Sequence, residues 1–369
     1  MIKIENYIDG ELVSNSDNYI DLYNPSVGKK YGQCPNSSIK DLRSSITSSE
    51  NAFNEWSQFS FKKRSSFLFK IADLLENELD DFAKAESLDN GKPLSLSTQL
   101  DIPRAIENLR FFADMVSDSQ SAICKTDKIG DNYILKQPLG IVGTISPWNL
   151  PLYLLSWKIA PAIVMGNTVV AKPSELTPLT ANLLAEVIHE VDLPKGVVNI
   201  VHGLGSEAGQ AIVEHPKIKL ISFTGGTVTG KKVAETAAPM FKKLSLELGG
   251  KNATIVLEDT NLDEAIPDIA RAGFLNQGQV CLCGSRILIS DKIWDEFVSK
   301  FVDYVKSMKI GDPSLDDSDL GALVSLAHRD KVESYIHLAQ REGGKILCGG
   351  KIPNLSSPFE WVLPSSLVD

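Results

Sequence analysis

Positive charge, cysteine and long apolar runs are all scarce in this 369-residue chain. Lys and Arg number 37 against 47 Asp and Glu, a formal net charge of −10. A phosphate backbone needs a basic patch to bind it, so a nucleic-acid partner is not expected. The five cysteines fall at positions 34, 124, 281, 283 and 348. This odd, scattered set is no disulfide framework and suits a reducing compartment. Cys281-Leu282-Cys283 has no second cysteine pair and no paired histidines beside it, so no metal site is expected. The opening MIKIENYIDGE lacks a basic stretch followed by an apolar one and does not read as a secretory signal. The most apolar region, from Pro151 to Ala171, is interrupted by Lys158, Pro161 and Asn167, so no membrane span is expected. These absences point to a cytoplasmic protein.

The length exceeds one ordinary core and predicts two domains, with a third small element. No internal repeat or low-complexity tract occurs. Residues 39–57, 61–88 and 99–117 carry apolar positions at helical spacing, such as Phe67, Ile71, Leu74 and Leu75. The cluster Asp89-Asn90-Gly91-Lys92-Pro93 reads as a helix stop. From Tyr133 onward short apolar strands alternate with helices. The candidate strands are Gly140–Ile145, Thr168–Ala171, Val197–Val201 and Leu220–Phe223. Thr177 as N-cap and Pro178 as first residue predict the next helix start. This rhythm predicts a parallel α/β sheet with crossover helices. A second α/β pattern starts at Thr254–Leu257.

Three segments suit phosphate or ribose binding. The strand ending at Phe223 runs into Thr224-Gly-Gly-Thr-Val-Thr-Gly230-Lys-Lys232, where small residues let backbone N–H groups approach an anion at a helix N-terminus. Residues 225–231 nearly spell a P-loop, but Lys232 stands where a magnesium-binding hydroxyl belongs. An ordinary βα turn is the plainer alternative. Gly203-Leu-Gly205-Ser-Glu-Ala-Gly209 is a second glycine-rich turn, whose third glycine comes one residue late for a dinucleotide fingerprint. Lys172-Pro173-Ser174-Glu175 ends a strand. A carboxylate there could meet a ribose and would repel a 2′-phosphate, favouring NAD over NADP; a solvated loop is the bland reading.

The chemistry lies in three further segments: SPWNLP (146–151), LELGGKN (246–252) and NQGQVCLCGSR (276–286). Cys281 sits among glycines and polar residues, a setting for a reactive thiolate rather than a small core hydrophobe. Cys283 reads as structural. Glu247 lies between Leu246 and Leu248, and apolar neighbours would raise its pKa toward a general base's range; a surface Glu on an alternating strand also fits. The Asn149 amide could donate to a developing oxyanion, or merely cap the next helix.

These motifs, in this order, resemble the aldehyde dehydrogenase superfamily over nearly the whole chain. The resemblance implies that Cys281 attacks an aldehyde carbon, that Asn149 and the Cys281 N–H hold the oxyanion, and that Glu247 activates water to release the acid. It implies an NAD site built from Pro147, Trp148, Lys172, Ser174, Glu175, Gly205, Gly225, Gly226, Gly230 and Leu248. The implied fold is a Rossmann-like NAD-binding domain (1–118 and 139–245), a bridging and oligomerisation hairpin (119–138) and an α/β catalytic domain (246–369). The implied assembly is a homo-oligomer, dimer or tetramer.

The segments DIPRAIENLRFFA (101–113), ISPWNLPLYLLSWKIAPA (145–162) and QVCLCGSR (279–286) are similar to the 2-aminomuconic and hydroxymuconic semialdehyde dehydrogenases. Leu150, Leu154 and Trp157 recur at helical spacing and would line an apolar substrate tunnel, although such a stripe usually faces a core. Arg104 would hold a substrate carboxylate bidentately, its alternative being a solvent-exposed helix arginine. The chain departs from the family pattern by ending at Asp369, before the expected acidic-Ile-Phe-Gly-Pro-type motif, and in having Gly226 and Val228 in its turn. A truncated catalytic sheet with an unpaired edge and exposed apolar faces is expected. Two readings stay open here: an NAD-dependent semialdehyde dehydrogenase, and a non-catalytic remnant that keeps cofactor binding or subunit pairing. A P-loop NTPase stands behind both.

Overall fold

The β-branched and aliphatic runs of the chain's middle third form the centre of one sheet, where the strands are buried on both faces. The structure is a computed structural model and describes residues 1–13, 17–115, 122–126, 130–350 and 367–368. The sheet has seven strands in the spatial order Lys243–Leu248, Ile218–Gly225, Ile141–Ile145, Thr168–Lys172, Val198–Ile200, Asn6–Ile8 and Glu11–Val13. The first five are parallel, and the last two are added antiparallel. Every residue of Ile141–Ile145 and of Thr168–Lys172 is buried, as expected for central parallel strands with helices on both sides.

Helix Ile39–Trp56 packs on one face of the sheet and helices Phe61–Asn77, Ile102–Met115 and Pro151–Val164 build the other. The start of the first is set by a capping box, with Ser38 and Asp41 satisfying each other's backbone N–H groups. The expected single helix over 61–88 is two helices, Phe61–Asn77 and Leu79–Asn90, broken at Glu78, whose backbone leaves the helical region without a Gly or Pro to mark it. Helix Leu79–Asn90 ends at Gly91 in the left-handed conformation, φ 82°. A Cβ there would also crowd Pro25 and Ala322, so the stop read from sequence requires glycine twice over.

A second unit begins with the parallel pair Ala253–Val256 and Arg286–Ile289, covered on one face by helices Leu262–Phe274 and Trp294–Ser307. Helix Leu326–Arg341 follows, and Ile346–Cys348 pairs with Leu367–Val368. Strands Ala122–Thr126 and Gly130–Ile134 form an antiparallel pair within the segment expected to be a hairpin; residues 116–121 and 127–129 lie outside the described residues. Among the described residues no helix is long and apolar enough to cross a membrane.

Candidate active site

In the main sheet the chain winds away from Ile141–Ile145 in both directions: the strands that follow it first lie on one side, and Ile218–Gly225 lies on the other. A crevice opens at the carboxyl ends of strands at such a switch point, where α/β folds bind ligands. The segments singled out by sequence leave the sheet there: Ser146–Asn149 after Ile145, Pro173–Glu175 after Lys172, Gly226 after Gly225 and Gly249 after Leu248.

The glycine turn is built for close approach. Helix Thr227–Ala237 starts at Gly226, which has no side chain to cap it and open space where a Cβ would be. The first N–H groups of that helix therefore have no side-chain partner from the cap, as an anion site requires. A Cβ on Gly225 would fall 2.6 Å from the Phe223 ring, and one on Gly230 would run into the Leu248 side chain. Leu248 is thus the packing partner that seats this helix on the sheet edge. The P-loop reading fails on the same geometry: Gly230 and Lys231 already lie inside the helix, so no loop remains to wrap a phosphate. The second glycine turn, Gly205–Gly209, is one wide helical turn leading into Gln210–Glu214. Gly205 faces open space, and Gly209 lies 3.7 Å from the Lys172 chain by its projected Cβ.

Lys172 is buried, and its Nζ donates to the Glu175 carboxylate at 2.7 Å and to the Pro173 carbonyl at 3.0 Å. Ser174 Oγ accepts the Leu176 N–H at 3.2 Å and holds this loop. Thr177 does not cap the following helix, which runs from Leu179 to Glu190. Its hydroxyl turns instead to the Trp148 carbonyl, 3.4 Å away, which draws the two loops together. The Trp148 ring packs edge-on against His328, centroids 4.8 Å apart.

Asn149 does not cap the helix Pro151–Val164, whose N-cap residue Leu150 makes no side-chain cap bond. Its Nδ2 donates to the Gln279 carbonyl at 2.7 Å, two residues before Cys281. An amide nitrogen carries two hydrogens, so one stays available to a second acceptor. Asn276 and Gln277 have φ of 52° and 57°, followed by Gly278 at 73°: three consecutive left-handed residues that force the chain back toward the sheet. Such strain persists only where surrounding contacts overdetermine it. Here Gln277 Nε2 donates to Ala322 O at 2.6 Å, Asn276 Nδ2 to Asn149 O at 2.9 Å, and Gln279 Oε1 accepts the Val324 N–H at 3.2 Å. Cys281 is half-buried with a free thiol, and Asn252 Nδ2 donates to its carbonyl at 2.8 Å. Cys283 is buried, and burial pushes its thiol pKa up, in keeping with a structural role.

Glu247 differs from expectation. Leu246 and Leu248 alternate to the opposite face, toward helix Thr227–Ala237, and Glu247 is exposed, so its sequence neighbours give it no apolar enclosure. Its face of the strand is polar. Ser245 pairs with Ser222 and Glu247 with Thr224 across the sheet edge. Lys158, from the middle of helix Pro151–Val164, reaches this face and donates to Ser222 Oγ at 3.1 Å. Burial lowers the Lys158 pKa to about 8, against the pull of the Glu247 charge. In the sequence Lys158 stands out only as an interruption of an apolar run. A lone lysine in an otherwise apolar helix was the available signal.

The tunnel residues are only partly one face. Leu150 is buried and precedes the helix, its carbonyl accepting the Leu154 N–H at 3.0 Å. Leu154 is half-buried, and Trp157 is 41% exposed, packed edge-on against Phe112 at 5.2 Å and near Tyr153 at 6.4 Å. Phe112 and Tyr153 were not anticipated. Arg104 is half exposed and pairs with Glu107 at 2.9 Å. A hydrogen bond with Tyr153, then the one with Glu107, raises its pKa above the ordinary arginine value.

Comparison with known proteins identifies the family. The aldehyde dehydrogenase family pattern matches residues 12–363. Human 2-aminomuconic semialdehyde dehydrogenase is 46% identical over 375 residues, covering 100% of this chain and 77% of the relative. A 2-hydroxymuconic semialdehyde dehydrogenase of a Pseudomonas species is 40% identical, covering 99% and 77%. Among solved structures, PnpE in complex with nicotinamide adenine dinucleotide superposes with a TM-score of 0.96 at 38% identity, covering 100% of this chain and 76% of its own. The NAD+ complex of an aldehyde dehydrogenase from Bacillus cereus gives 0.95 at 34%, covering 100% and 75%. The chain belongs to the aldehyde dehydrogenase family and is an NAD-dependent oxidoreductase.

Proposed function

We propose that the protein oxidises a carboxylated semialdehyde of the 2-aminomuconic type to the corresponding acid. The observation that carries this reading is the 2.7 Å bond from Asn149 to the Gln279 carbonyl, because it ties the end of the cofactor-side sheet to the cysteine loop. Cys281 attacks the aldehyde carbon. The free hydrogen of the Asn149 amide and the Cys281 N–H stabilise the oxygen of the thiohemiacetal. NAD, when bound in the crevice, would supply the acceptor for the aldehyde hydride, so that the Cys281 adduct reaches the oxidation level of an acid as a thioester. Glu247 then takes a proton from the water that cleaves the Cys281 thioester. The exposed position of Glu247, on a polar face shared with Lys158, suits a base that must meet water.

Lys172 and Glu175 hold the adenosine ribose, with Ser174 shaping their loop. Gly225, Gly226 and Gly230 let the pyrophosphate approach the start of helix Thr227–Ala237, which Leu248 seats, and Gly205 faces the same crevice. Pro147 and Trp148 lie along the cofactor. Leu150, Leu154 and Trp157 line the substrate path, and Arg104 takes the substrate carboxylate in exchange for Glu107. That exchange is feasible because an exposed ion pair such as Arg104–Glu107 contributes little by itself. The names of the 2-aminomuconic and 2-hydroxymuconic relatives support a carboxylated substrate. A cytoplasmic location, a homodimer or homotetramer joined through residues 119–138, and division into 1–118 with 139–245, 119–138 and 246–369 complete the proposal. A non-catalytic remnant is not favoured, since the loops of Asn149, Glu247 and Cys281 are all present and Asn149 is tied to the cysteine loop. Replacing Arg104→Ala tests the substrate class. KM for a carboxylated semialdehyde is expected to rise roughly 10- to 100-fold, with that for a neutral aldehyde nearly unchanged. Equal effects on both would remove Arg104 from carboxylate recognition.

A further inference from the structure

The turn after helix Leu79–Asn90, legible in sequence only as a stop, touches two of the loops that make up the site and the segment Gly321–Ala322 that braces the cysteine loop. Asn90 Nδ2 donates to the Trp148 carbonyl at 2.9 Å, and Lys92 Nζ to the Asn149 carbonyl at 3.1 Å. The Gly91 carbonyl accepts the Ala322 N–H at 2.9 Å, and Gln277, which precedes Cys281 by four residues, also reaches it. Gly321 lies so close over the Gly91 carbonyl that no side chain fits there.

Lys92 is wholly buried, as are the two carboxylates that hold it, Glu86 at 3.1 Å and Asp101 at 2.5 Å. An ammonium has three N–H donors, and the Asn149 carbonyl takes the third. Burial opposes the Lys92 charge, yet Asp101 and Glu86 together outweigh it and keep its pKa above the ordinary lysine value. The second Glu86 oxygen accepts the Leu152 N–H at 3.3 Å, in the first turn of helix Pro151–Val164, where no side-chain cap is present and a negative charge is favoured. Residues 149–152 are thereby held at both ends by one buried charge cluster, with Asn149 pinned through its backbone and its side chain left to the site. Three apolar residues would fill the same space at lower desolvation cost, so the cluster's distinctive product is position.

We infer that Glu86, Lys92 and Asp101 are positioning residues for the Asn149 amide, setting where its side chain meets the substrate oxygen. This rests on the oxyanion role of Asn149 proposed above. The triad is buried and acts through the Asn149 carbonyl and the Leu152 N–H. Displacement of a preorganised donor by about 1 Å costs on the order of 100-fold in rate.

The test is a cycle of variants read by the single-turnover burst of NADH with an aldehyde substrate. Glu86→Gln, Lys92→Met and Asp101→Asn together remove the charges without leaving one unpaired. The burst is expected to slow roughly 100-fold while the Kd for NAD stays within about twofold. In an Asn149→Ala background the same three substitutions are expected to cost less than about twofold, because the donor they position is gone. A full, multiplicative loss in that background, or a folded triple variant with an unaltered burst, overturns the inference. An Asn149→Ala variant with a normal burst overturns the oxyanion reading itself, and the positioning role with it. If the triple variant does not fold, Glu86→Gln alone, which keeps shape and the Lys92–Asp101 pair, takes its place with a smaller expected loss and the same cycle decides.

Discussion

The two sheets of this protein treat their strands in opposite ways. In the seven-stranded sheet the central strands are buried along their whole length, because helices cover both faces. In the parallel pair Ala253–Val256 and Arg286–Ile289 the side chains alternate, with Val256, Ile287 and Ile289 packed toward the helices while Ile255 is 67% and Leu288 53% exposed. The residue types are similar in both, so composition does not separate them. The difference lies in how much protein lies on each face. The first unit brings the glycine turn and the Lys172–Glu175 loop to the carboxyl ends of its strands. The second carries Cys281 on a loop held both by Asn149 of the first unit and by Asn252, Ala322 and Val324 of its own.

The sharpest break between the units is chemical. Cys281→Ala is expected to lower turnover by about 10⁴-fold or more while leaving NAD affinity within about twofold, as measured by NADH production and by titration of cofactor fluorescence. Turnover near the wild-type level would take the nucleophile's role from Cys281. Packing gives the next contrast. Ile221→Ala, in the core of the large sheet, is expected to cost about 2–5 kcal/mol in urea unfolding, whereas Ile255→Ala on the open face should change stability by no more than about 0.5 kcal/mol. A large loss at Ile255 would mean that this face is covered in solution.

A further contrast concerns Lys158, which sits on the polar face of the large sheet beside Ser222. Its pKa in the folded protein is about 8, below the ordinary lysine value. Between these values the unfolded chain binds more protons, so this group makes stability rise with pH from about 8 to about 10.5. Below pH 8 the folded protein carries the whole penalty of a buried charge. Lys158→Met should therefore be more stable than the wild type at pH 7 by up to about 3 kcal/mol. That advantage should fade as pH approaches 10.5. Parallel stability curves for the two proteins would show that Lys158 is not strained.

Much of this was legible in advance, and for local reasons. The strands at Ile141, Thr168, Val198 and Ile218 announce themselves by apolar runs between turn residues, and Gly91 and Gly226 mark places where backbone freedom or close approach is needed. Asn149, Glu247 and Cys281 stood out because each lies in an unusual short motif. What stayed hidden depended on partners distant in sequence. The break at Glu78 has no Gly or Pro to signal it. Thr177 looked like a helix cap until the Trp148 carbonyl came within 3.4 Å. Glu247 seemed enclosed by its leucine neighbours, but a strand sends neighbours to the opposite face.

The sequence by itself determined the order of strands and helices, the turns that demand glycine and the identity of the reactive groups, since all of these follow from residue type and short-range spacing. Only the tertiary structure decided that four parallel strands lie side by side with their carboxyl ends together, that Asn149 reaches across 130 residues to Gln279, and that a buried lysine stands beneath it. Those facts arise from chain crossovers and packing, which bring residues together whatever their separation. A lone Lys or Asn carries no local sign of the partner that the fold will give it.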